Sequence, residues 1–515
     1  MAYPMRVKRA TRRVLHGRVE VPSSEAVIAD TFGGRVHVEW DEAAAVTPLG
    51  QLPFFVEFLK QAGLFDAWVA GSPLRFTSPN APAKRDVLGT ALLGVLAGCW
   101  RYAHLTALRG DAVNPQLLGM RRVVSEDAVR RGLRSIAPSA GEEWMCEHLL
   151  HCVRPLLGEP WVLDVDTTVK PLYGHQEGAE VGYNPHKPGR PSHSLHTYVM
   201  ANLRLVLDVE VRGGKQHASR HSQAGLWRLL EALPRAMWPR LVRGDSNWGS
   251  DLVMRRCEQE GLPYLLRLRL TANVKRALDR AMSEVGWTPA GQGWQGKEAW
   301  LKLHGWGRAR RVILLRRRLK GAVSLTARDA RGQLALGFAD VEADEPVWEH
   351  GALVTSLSEE ILSFGQLYRD RADCENVYDE MKNQWGWGGF TTHDLARCQL
   401  MARIVALAYN WWTLFARLAE PDRHREAITA RPLMMHAIAR RTEHAGRTTL
   451  TITSTHGDYD QAERAYRRIA HFFATVRSTA EQLTPLQRLY RILSEAMRHF
   501  LNGRQLRAPP ALQAA

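Results

Sequence analysis

The chain has 515 residues, 45% of them hydrophobic and 24% charged, so it is too long for one ordinary domain and has the composition of a soluble globular protein. Lysine and arginine total 69 against 53 acids, and the net charge of +16 favours a polyanionic partner such as nucleic acid. Six cysteines are too few for a disulfide framework, and the longest uncharged apolar run, 87–100, is shorter than the roughly 18 residues of a membrane span. Disulfide-rich and membrane-spanning classes are therefore excluded, and we expect a cytoplasmic protein without a membrane partner.

The first 157 residues divide into a basic segment and a helical segment. Residues 1–48 are predicted to form a basic N-terminal arm, either one that touches nucleic acid or a disordered tail. The cations of its first segment, MRVKRATRRVLHGR (5–18), are Arg6, Lys8, Arg9, Arg12, Arg13 and Arg18. Residues 49–157 show helical periodicity, and the segment that begins at Ser125 has a capping residue followed by two acids. Its arginines would contact phosphates or form a solvated face.

An α/β domain is predicted from the alternating, β-branched segments that follow residue 158. Three strands, a helix and a fourth strand occupy 158–270, and the domain resumes at 350–420. The intervening 271–349 is predicted to be a β-rich insertion, whose tryptophans would pack a small core or stack on a base. Residues 421–515 are predicted to form a helical C-terminal region.

The helix predicted for LYRDRADCENVYDEMKNQW (367–385) has two distinct faces. At helical spacing its apolar residues form one stripe, while four polar residues fall within about 60° of one another. These four are Tyr368, Arg371, Glu375 and Lys382. A carboxylate beside cations suits a metal site that also grips phosphate, although a solvated salt-bridge face with Arg371 and Glu375 as an i,i+4 pair explains the pattern too.

Acids on two predicted strands favour the metal interpretation. Asp164 and Asp166 are two apart in WVLDVDTTV and therefore point to one face of a strand, where two acids are unfavourable unless a cation neutralises them. Asp245 follows the apolar run LVRG, at the end of a strand where open α/β sheets bind ligands. Converging with Glu375, these acids could hold two divalent ions for phosphodiester cleavage, and Mg²⁺ suits such oxygen ligands.

The spacing Tyr368, two residues, Arg371, three residues, Glu375, six residues, Lys382 resembles a known family signature. It is similar to the tyrosine–arginine–glutamate–lysine motif of bacterial insertion-sequence DDE transposases of the cut-and-paste type. DTT at Asp166 resembles the family's first-aspartate motif and RGDSNW at Asp245 its second, and the resemblance extends over roughly residues 160–420.

The resemblance implies a ribonuclease-H-like catalytic core interrupted by the β-rich insertion, with helical flanking regions of which 49–157 would bind DNA ends. It implies that Asp166, Asp245 and Glu375 are the catalytic residues and bind two Mg²⁺ or Mn²⁺ ions, and that Tyr368, Arg371 and Lys382 contact DNA phosphates. Asp164 receives a supporting role because the family's aspartate directly precedes the threonine pair, although strand alternation alone leaves a swapped assignment open.

The resemblance further implies cleavage of the element's own ends and their joining to target DNA, with double-stranded DNA and a second copy of the chain, as a homodimer, as partners. The basic loop between the first two strands contributes Lys187, Arg190 and His186, which would track DNA beside the site or form an ordinary exposed loop. No phosphate-cradling Gly-Lys loop is present, so no nucleotide cofactor is expected. An inactive or domesticated DNA-binding relative, and a nuclease that does not join strands, remain alternatives.

Overall fold

A computed structural model describes most of the chain and divides it into two units, residues 1–44 and 45–515. The described residues are 27–41, 44–184, 187–216, 221–319, 322–328, 334–340, 347–454 and 458–507. The cations predicted for the N-terminal arm, from Arg6 to Arg18, lie outside them, as does His186. Within the first unit, β1 and β2 pair antiparallel as a hairpin, so part of the predicted arm is a strand pair.

The strands and helices have the following bounds. The strands are β1 (Val27–Thr31), β2 (Gly34–Val38), β3 (Val46–Thr47), β4 (Val162–Pro171), β5 (Glu180–Val181), β6 (Pro191–Met200), β7 (Leu205–Gly213), β8 (Leu241–Gly244), β9 (Tyr264–Arg267), β10 (Thr288–Gly291), β11 (Trp294–Leu301), β12 (Arg310–Arg318), β13 (Ala322–Arg328), β14 (Leu334–Asp340), β15 (Trp348–Thr355), β16 (Ala439–His444) and β17 (Arg447–Ile452). The α-helices are α1 (Leu52–Gln61), α2 (Leu64–Gly71), α3 (Lys84–Leu96), α4 (Asn114–Leu117), α5 (Glu126–Arg134), α6 (Pro138–His151), α7 (Gln223–Glu231), α8 (Asp251–Gln259), α9 (Ala272–Met282), α10 (Ile361–Arg369), α11 (Ala372–Asn383), α12 (Leu395–Ala419), α13 (Ala427–Met434), α14 (Tyr459–Ser478) and α15 (Pro485–Ala496). None of these helices combines the length and apolar character that a membrane-spanning segment requires.

Residues 49–157 are helical, as the periodicity predicts. The apolar run after residue 52 is divided into α1 and α2 at Gly63, whose φ of 68° is a conformation that glycine adopts readily. The predicted cap of α5 is present, since the Ser125 side chain accepts a hydrogen bond from the Ala128 N–H at 3.3 Å.

The centre of the second unit is a ten-stranded mixed sheet. Its order is β10-β11-β12-β15-β9-β8-β4-β6-β5, and β7 also pairs with β6. β4 is parallel to β8 and antiparallel to β6. The segment HSLHTYVMANLRLVLDVEVRGG (193–214), predicted as a single strand, is two strands: the chain turns at 201–204, where Arg204 has a φ of 53°, and returns as β7. Because the segment has no glycine or proline at this turn, sequence pattern did not indicate it.

The predicted insertion does not form a separate β subdomain throughout. It begins with a helix, α9, and its strands β10, β11 and β12 extend the main sheet through antiparallel pairing of β12 with β15. Only β13 and β14 form a two-stranded sheet of their own. Of its tryptophans, Trp306 is buried, whereas Trp300 is 67% exposed.

The helix predicted over 367–385 is in fact two helices. α10 ends at Arg369 and α11 begins at Ala372, and the N–H groups of Arg371 and Cys374 donate to carbonyls only three residues earlier. The apolar stripe is nonetheless buried as expected, including Cys374, Val377 and Met381. The break places Tyr368 and Glu375 on different helices with Arg371 at the junction.

The C-terminal region is helical with one exception. α12 is a 25-residue helix that lies almost wholly in the core and packs against β7 and α6. Residues 439–452 form the antiparallel strands β16 and β17, which the helical prediction for 421–515 did not include. β16 also pairs with β3.

Candidate active site

Two of the three predicted catalytic acids lie beside each other on neighbouring strands. Asp166 is on β4, and Asp245 directly follows β8, the parallel neighbour of β4. The register pairs Val165 with Gly244, so Asp166 and Asp245 are the next residues on adjacent strands. The carboxyl side of parallel strands is where open α/β sheets bind ligands.

The carboxylates of Asp166 and Asp245 interact. Burial, together with the negative charge of Asp166, raises the pKa of Asp245 from 3.8 to about 6, and Arg371 opposes the shift. Asp245 is fixed by Asn247, whose backbone N–H donates to Oδ1 at 2.9 Å and whose side-chain amide donates to Oδ2 at 2.8 Å. Two carboxylates that repel each other at a strand end are stabilised by a cation, which is the electrostatic requirement of a metal site.

Arg371 connects the third acid to the first. Its Nη2 donates to Oδ2 of Asp166, and its Nη1 donates to Oε1 of Glu375 at 3.1 Å. The guanidinium is buried, with 5% of the side chain exposed, whereas the Glu375 side chain is 68% exposed. Glu375 therefore lies at the solvent side of a buried arginine that bridges it to Asp166.

Asp164 has a different partner. Its carboxylate is fully buried and accepts two hydrogen bonds from Arg243 of β8, from Nε to Oδ1 at 2.7 Å and from Nη2 to Oδ2 at 2.8 Å. Arg243 also donates to the carbonyl of Leu367 in α10. Burial raises the pKa of Asp164, and Arg243 opposes that shift. Both oxygens of Asp164 are thus committed to an ion pair that ties β4, β8 and α10 together.

The donor set of this site fits a hard divalent cation. Asp166 and Asp245 supply carboxylate oxygens, which Mg²⁺ and Mn²⁺ prefer, and their mutual repulsion would be relieved by such an ion. Within the residues that the structure describes, no three His, Cys, Asp or Glu side chains are close enough together to hold a metal ion. Glu375 would complete the set only when Arg371 no longer bridges it to Asp166.

The other residues of the predicted signature lie around the same junction. Tyr368 is half-buried and lines a cavity of about 260 Å³ together with Arg371 and Glu375, and burial raises its pKa. Lys382 lies outside this cavity. Burial lowers the pKa of Lys382, and the carboxylates of Asp379 and Asp166 oppose this shift. The contacts of Tyr368, Arg371 and Lys382 with DNA phosphates stay predictions. In this structure the Arg371 guanidinium donates hydrogen bonds to Asp166 and Glu375.

An open groove of about 1290 Å³ leads to Asp245. Its cationic lining residues are Lys170, Lys187, Lys215, Arg269 and Lys382, and its acids are Asp245 and Asp379. Sequence reasoning missed Lys170, although period-two alternation places it on the same face of β4 as Asp166. No local sequence pattern indicated that Lys215 or Arg269 would line the groove. The groove has the charge and size to hold a polyanionic strand beside the acids.

The basic loop residues predicted to support the site surround an exposed tyrosine of this groove. Lys187 donates through Nζ to the hydroxyl of Tyr173, and the Arg190 guanidinium carbon lies 5.0 Å from the centroid of the same ring. Tyr173 and its neighbour Tyr183 are 68% and 79% exposed. An aromatic face beside two cations suits contact with nucleic acid.

The raised pKa of Asp245 predicts how stability depends on pH in metal-free buffer. The pKa of Asp245 is about 6 in the folded protein and 3.8 ordinarily. Its contribution to the free energy of unfolding is therefore complete below pH 3.8 and is lost as the pH rises through 6. Relative to Asp245→Asn, the wild-type protein should lose about 2 kcal/mol of unfolding free energy between pH 4 and pH 8. Urea unfolding in EDTA measures the free energy of unfolding of both proteins at each pH.

Glu420→Gln is the matched control with the opposite sign. Hydrogen bonds from Arg425, the largest cause, lower the pKa of Glu420 from 4.5 to about 2. The advantage of wild type over this variant is present above pH 4.5 and is lost as the pH falls toward 2. A difference between wild type and Asp245→Asn that does not change with pH would contradict the interaction of the two aspartates.

Comparison with known proteins identifies the family of this chain. No curated protein matches the chain. Among solved structures, the chain matches a piggyBac transposase synaptic complex with hairpin DNA at 11% identity and a TM-score of 0.38, over 91% of this chain and 87% of that one. Residues 83–473, most of the chain, match the family described as Transposase DDE domain group 1. The protein therefore belongs to this family of DDE transposases.

Proposed function

We propose that this transposase cuts the ends of its own DNA element and joins them to target DNA by phosphoryl transfer that depends on two divalent metal ions. The observation that carries the proposal is the arrangement of Asp166 and Asp245 on adjacent parallel strands, with Glu375 tied to Asp166 through Arg371. The sheet order β7-β6-β4-β8-β9 supports a ribonuclease-H-like core.

In this mechanism the acids hold the metal and the cations hold the DNA. Asp166, Asp245 and Glu375 would bind Mg²⁺ or Mn²⁺, which when bound activates the attacking oxygen and stabilises the leaving oxygen. Asn247 keeps both oxygens of Asp245 in place. The hydrogen bonds of Arg371 place one positive charge between Asp166 and Glu375 before DNA enters.

The cations of the groove would position the DNA backbone. Lys382 lines the groove with Asp245, and Lys187 lines it farther along, with Arg190 beside it at Tyr173. If Arg371 exchanges its carboxylates for a phosphate, Glu375 is released toward the two aspartates. Tyr368 is at the same junction and would contact the same phosphate region, as the family signature implies. We propose a homodimer in the DNA complex, since joining requires two ends to be held together.

A cleavage and joining assay tests the proposal. A linear DNA that carries both flanks of the gene is incubated with the protein and a target plasmid, with Mg²⁺ or with EDTA. The proposal expects cut ends and joined products in Mg²⁺ alone. Cut ends without joined products would favour a nuclease, and bound but uncut DNA would favour an inactive relative.

A further inference from the structure

The antiparallel ribbon formed by β16 and β17 (439–452) takes no part in the groove or in the acid cluster. Its two strands are joined by Ala445 and Gly446, with φ of 48° and 75°, a two-residue turn that matches the natural twist of a hairpin. Pairing with β3 is confined to Ala439 and Arg440. Beyond that base, β17 is the only strand with which β16 pairs among the described residues.

The two faces of the ribbon differ in character. The register pairs Arg440 with Thr451, Thr442 with Thr449 and His444 with Arg447, so these six side chains share one face. All six are exposed, and none is acidic. The only acid of the ribbon, Glu443, is on the opposite face, where it pairs with Arg441 at 3.0 Å.

The cations on the exposed face have no acidic partner. Within the described part of the chain, neither Arg440 nor Arg447 forms an ion pair, in contrast to Arg441 behind them. Arg441 also donates to Gln116 and so fixes the ribbon to the helical body. A rigid face of two arginines, a histidine and three threonine hydroxyls is a set of hydrogen-bond donors without a negative charge.

We propose that the 439–452 ribbon is a second DNA-binding element that enters a groove of duplex DNA away from the cleavage site. This rests on the proposed function in that the ligand is the DNA on which the protein acts. A two-stranded ribbon fits the major groove, which is about 12 Å wide, and arginine and threonine side chains contact phosphates and base edges there. The positive charge of the face complements the negative charge of the duplex. Because the base of the ribbon is anchored, DNA bound to the face would be held in a fixed position relative to the helical body.

The test is a binding measurement in EDTA with a duplex of about 40 base pairs and mixed sequence at several salt concentrations. For Arg440→Ser/Arg447→Ser, affinity at about 0.1 M salt should fall at least about tenfold, and the slope of log affinity against log salt should decrease in magnitude by about 2. Arg440→Lys/Arg447→Lys should regain most of the affinity, because the phosphate contacts keep their charge.

Arg423→Ser/Arg467→Ser is the matched control. These two arginines are also exposed, at 63% and 77%, but each already pairs with a glutamate. The control removes the same net charge and should leave affinity within about twofold. Equal losses in both double variants would overturn the proposal, since the effect would then be one of net charge. An equal loss on a single strand of the same length would overturn the assignment to a duplex groove.

The outcome is independent of catalysis, because the measurement contains no metal. A wild-type protein that binds through the ribbon but never cuts DNA would support the ribbon and contradict the proposed function. A wild-type protein that cuts and joins, with unchanged binding in Arg440→Ser/Arg447→Ser, would overturn the ribbon and leave the proposed function intact.

Discussion

Replacing Asp245 with asparagine is expected to lower the rate of Mg²⁺-dependent DNA cleavage by at least about a thousandfold, since the proposed metal site loses one of its carboxylates. The size of the side chain is retained, and Asn247 still borders it. DNA affinity in EDTA should be unchanged or slightly higher, because a negative charge leaves a groove that holds phosphates. Cleavage rate and affinity, measured on the same DNA, separate the two effects.

Asp379→Asn is the matched control for this result. Asp379 is exposed and lines the same groove, but it lies on α11 and not on a strand of the sheet. Its replacement removes the same charge and should leave the cleavage rate within about tenfold of wild type. If Asp245→Asn retained cleavage to the level of Asp379→Asn, Asp245 would have no part in the chemistry.

Replacing Arg243 with alanine is expected to lower the free energy of unfolding by about 3–5 kcal/mol at pH 7, since a fully buried carboxylate is left without its partner. The loss also removes the hydrogen bond to the carbonyl of Leu367 and loosens α10 from the sheet. Urea unfolding measures the change. Arg467→Ala, which breaks an exposed pair with Glu463, should leave the urea midpoint close to that of the wild-type protein.

The double variant Asp164→Leu/Arg243→Met tests which aspartate binds metal. Replacing both members of a buried pair with apolar residues of similar size costs far less than replacing one. If Asp164 is structural, this variant should fold and retain Mg²⁺-dependent cleavage, whereas Asp166→Asn should not cleave. A folded double variant without any cleavage, alongside active Asp166→Asn, would show that the two assignments are swapped.

Local sequence pattern predicted the strand-borne part of the site for a physical reason. Alternation along β4 places Asp164 and Asp166 on one face, and the apolar run before Asp245 predicts the end of a buried strand. Those regularities depend on neighbours within a few residues. Pattern alone could not distinguish the two aspartates, because the buried partner of Asp164 is Arg243, 79 positions away.

Other features depended on contacts between distant segments. The bridge from Arg371 to Asp166 spans 205 positions, and the addition of β12 to the main sheet depends on its pairing with β15. The break between α10 and α11 contains no proline or glycine, so helical periodicity continued through it in the prediction. Such features are determined by tertiary packing, which overrides local propensity.

The missed ribbon is a different case, since its signal was present. The segment RTTLTI is rich in β-branched residues, and Ala445–Gly446 precedes it as a turn. The helical segments on both sides of 439–452 dominated the prediction for 421–515. The ribbon shows that a short, polar hairpin lacks the apolar alternation that makes strands easy to recognise.

Asp166, Asp245 and Glu375 are proposed to share one metal site, and localised oxidation by bound iron tests this directly. Fe²⁺ replaces Mg²⁺ in the protein–DNA complex, and peroxide and ascorbate generate radicals that cut the backbone beside the ion. We predict cuts near all three acids, all of which disappear in Asp245→Asn. Cuts near Asp166 and Asp245 that never include Glu375, or cuts elsewhere in the chain, would contradict a shared site.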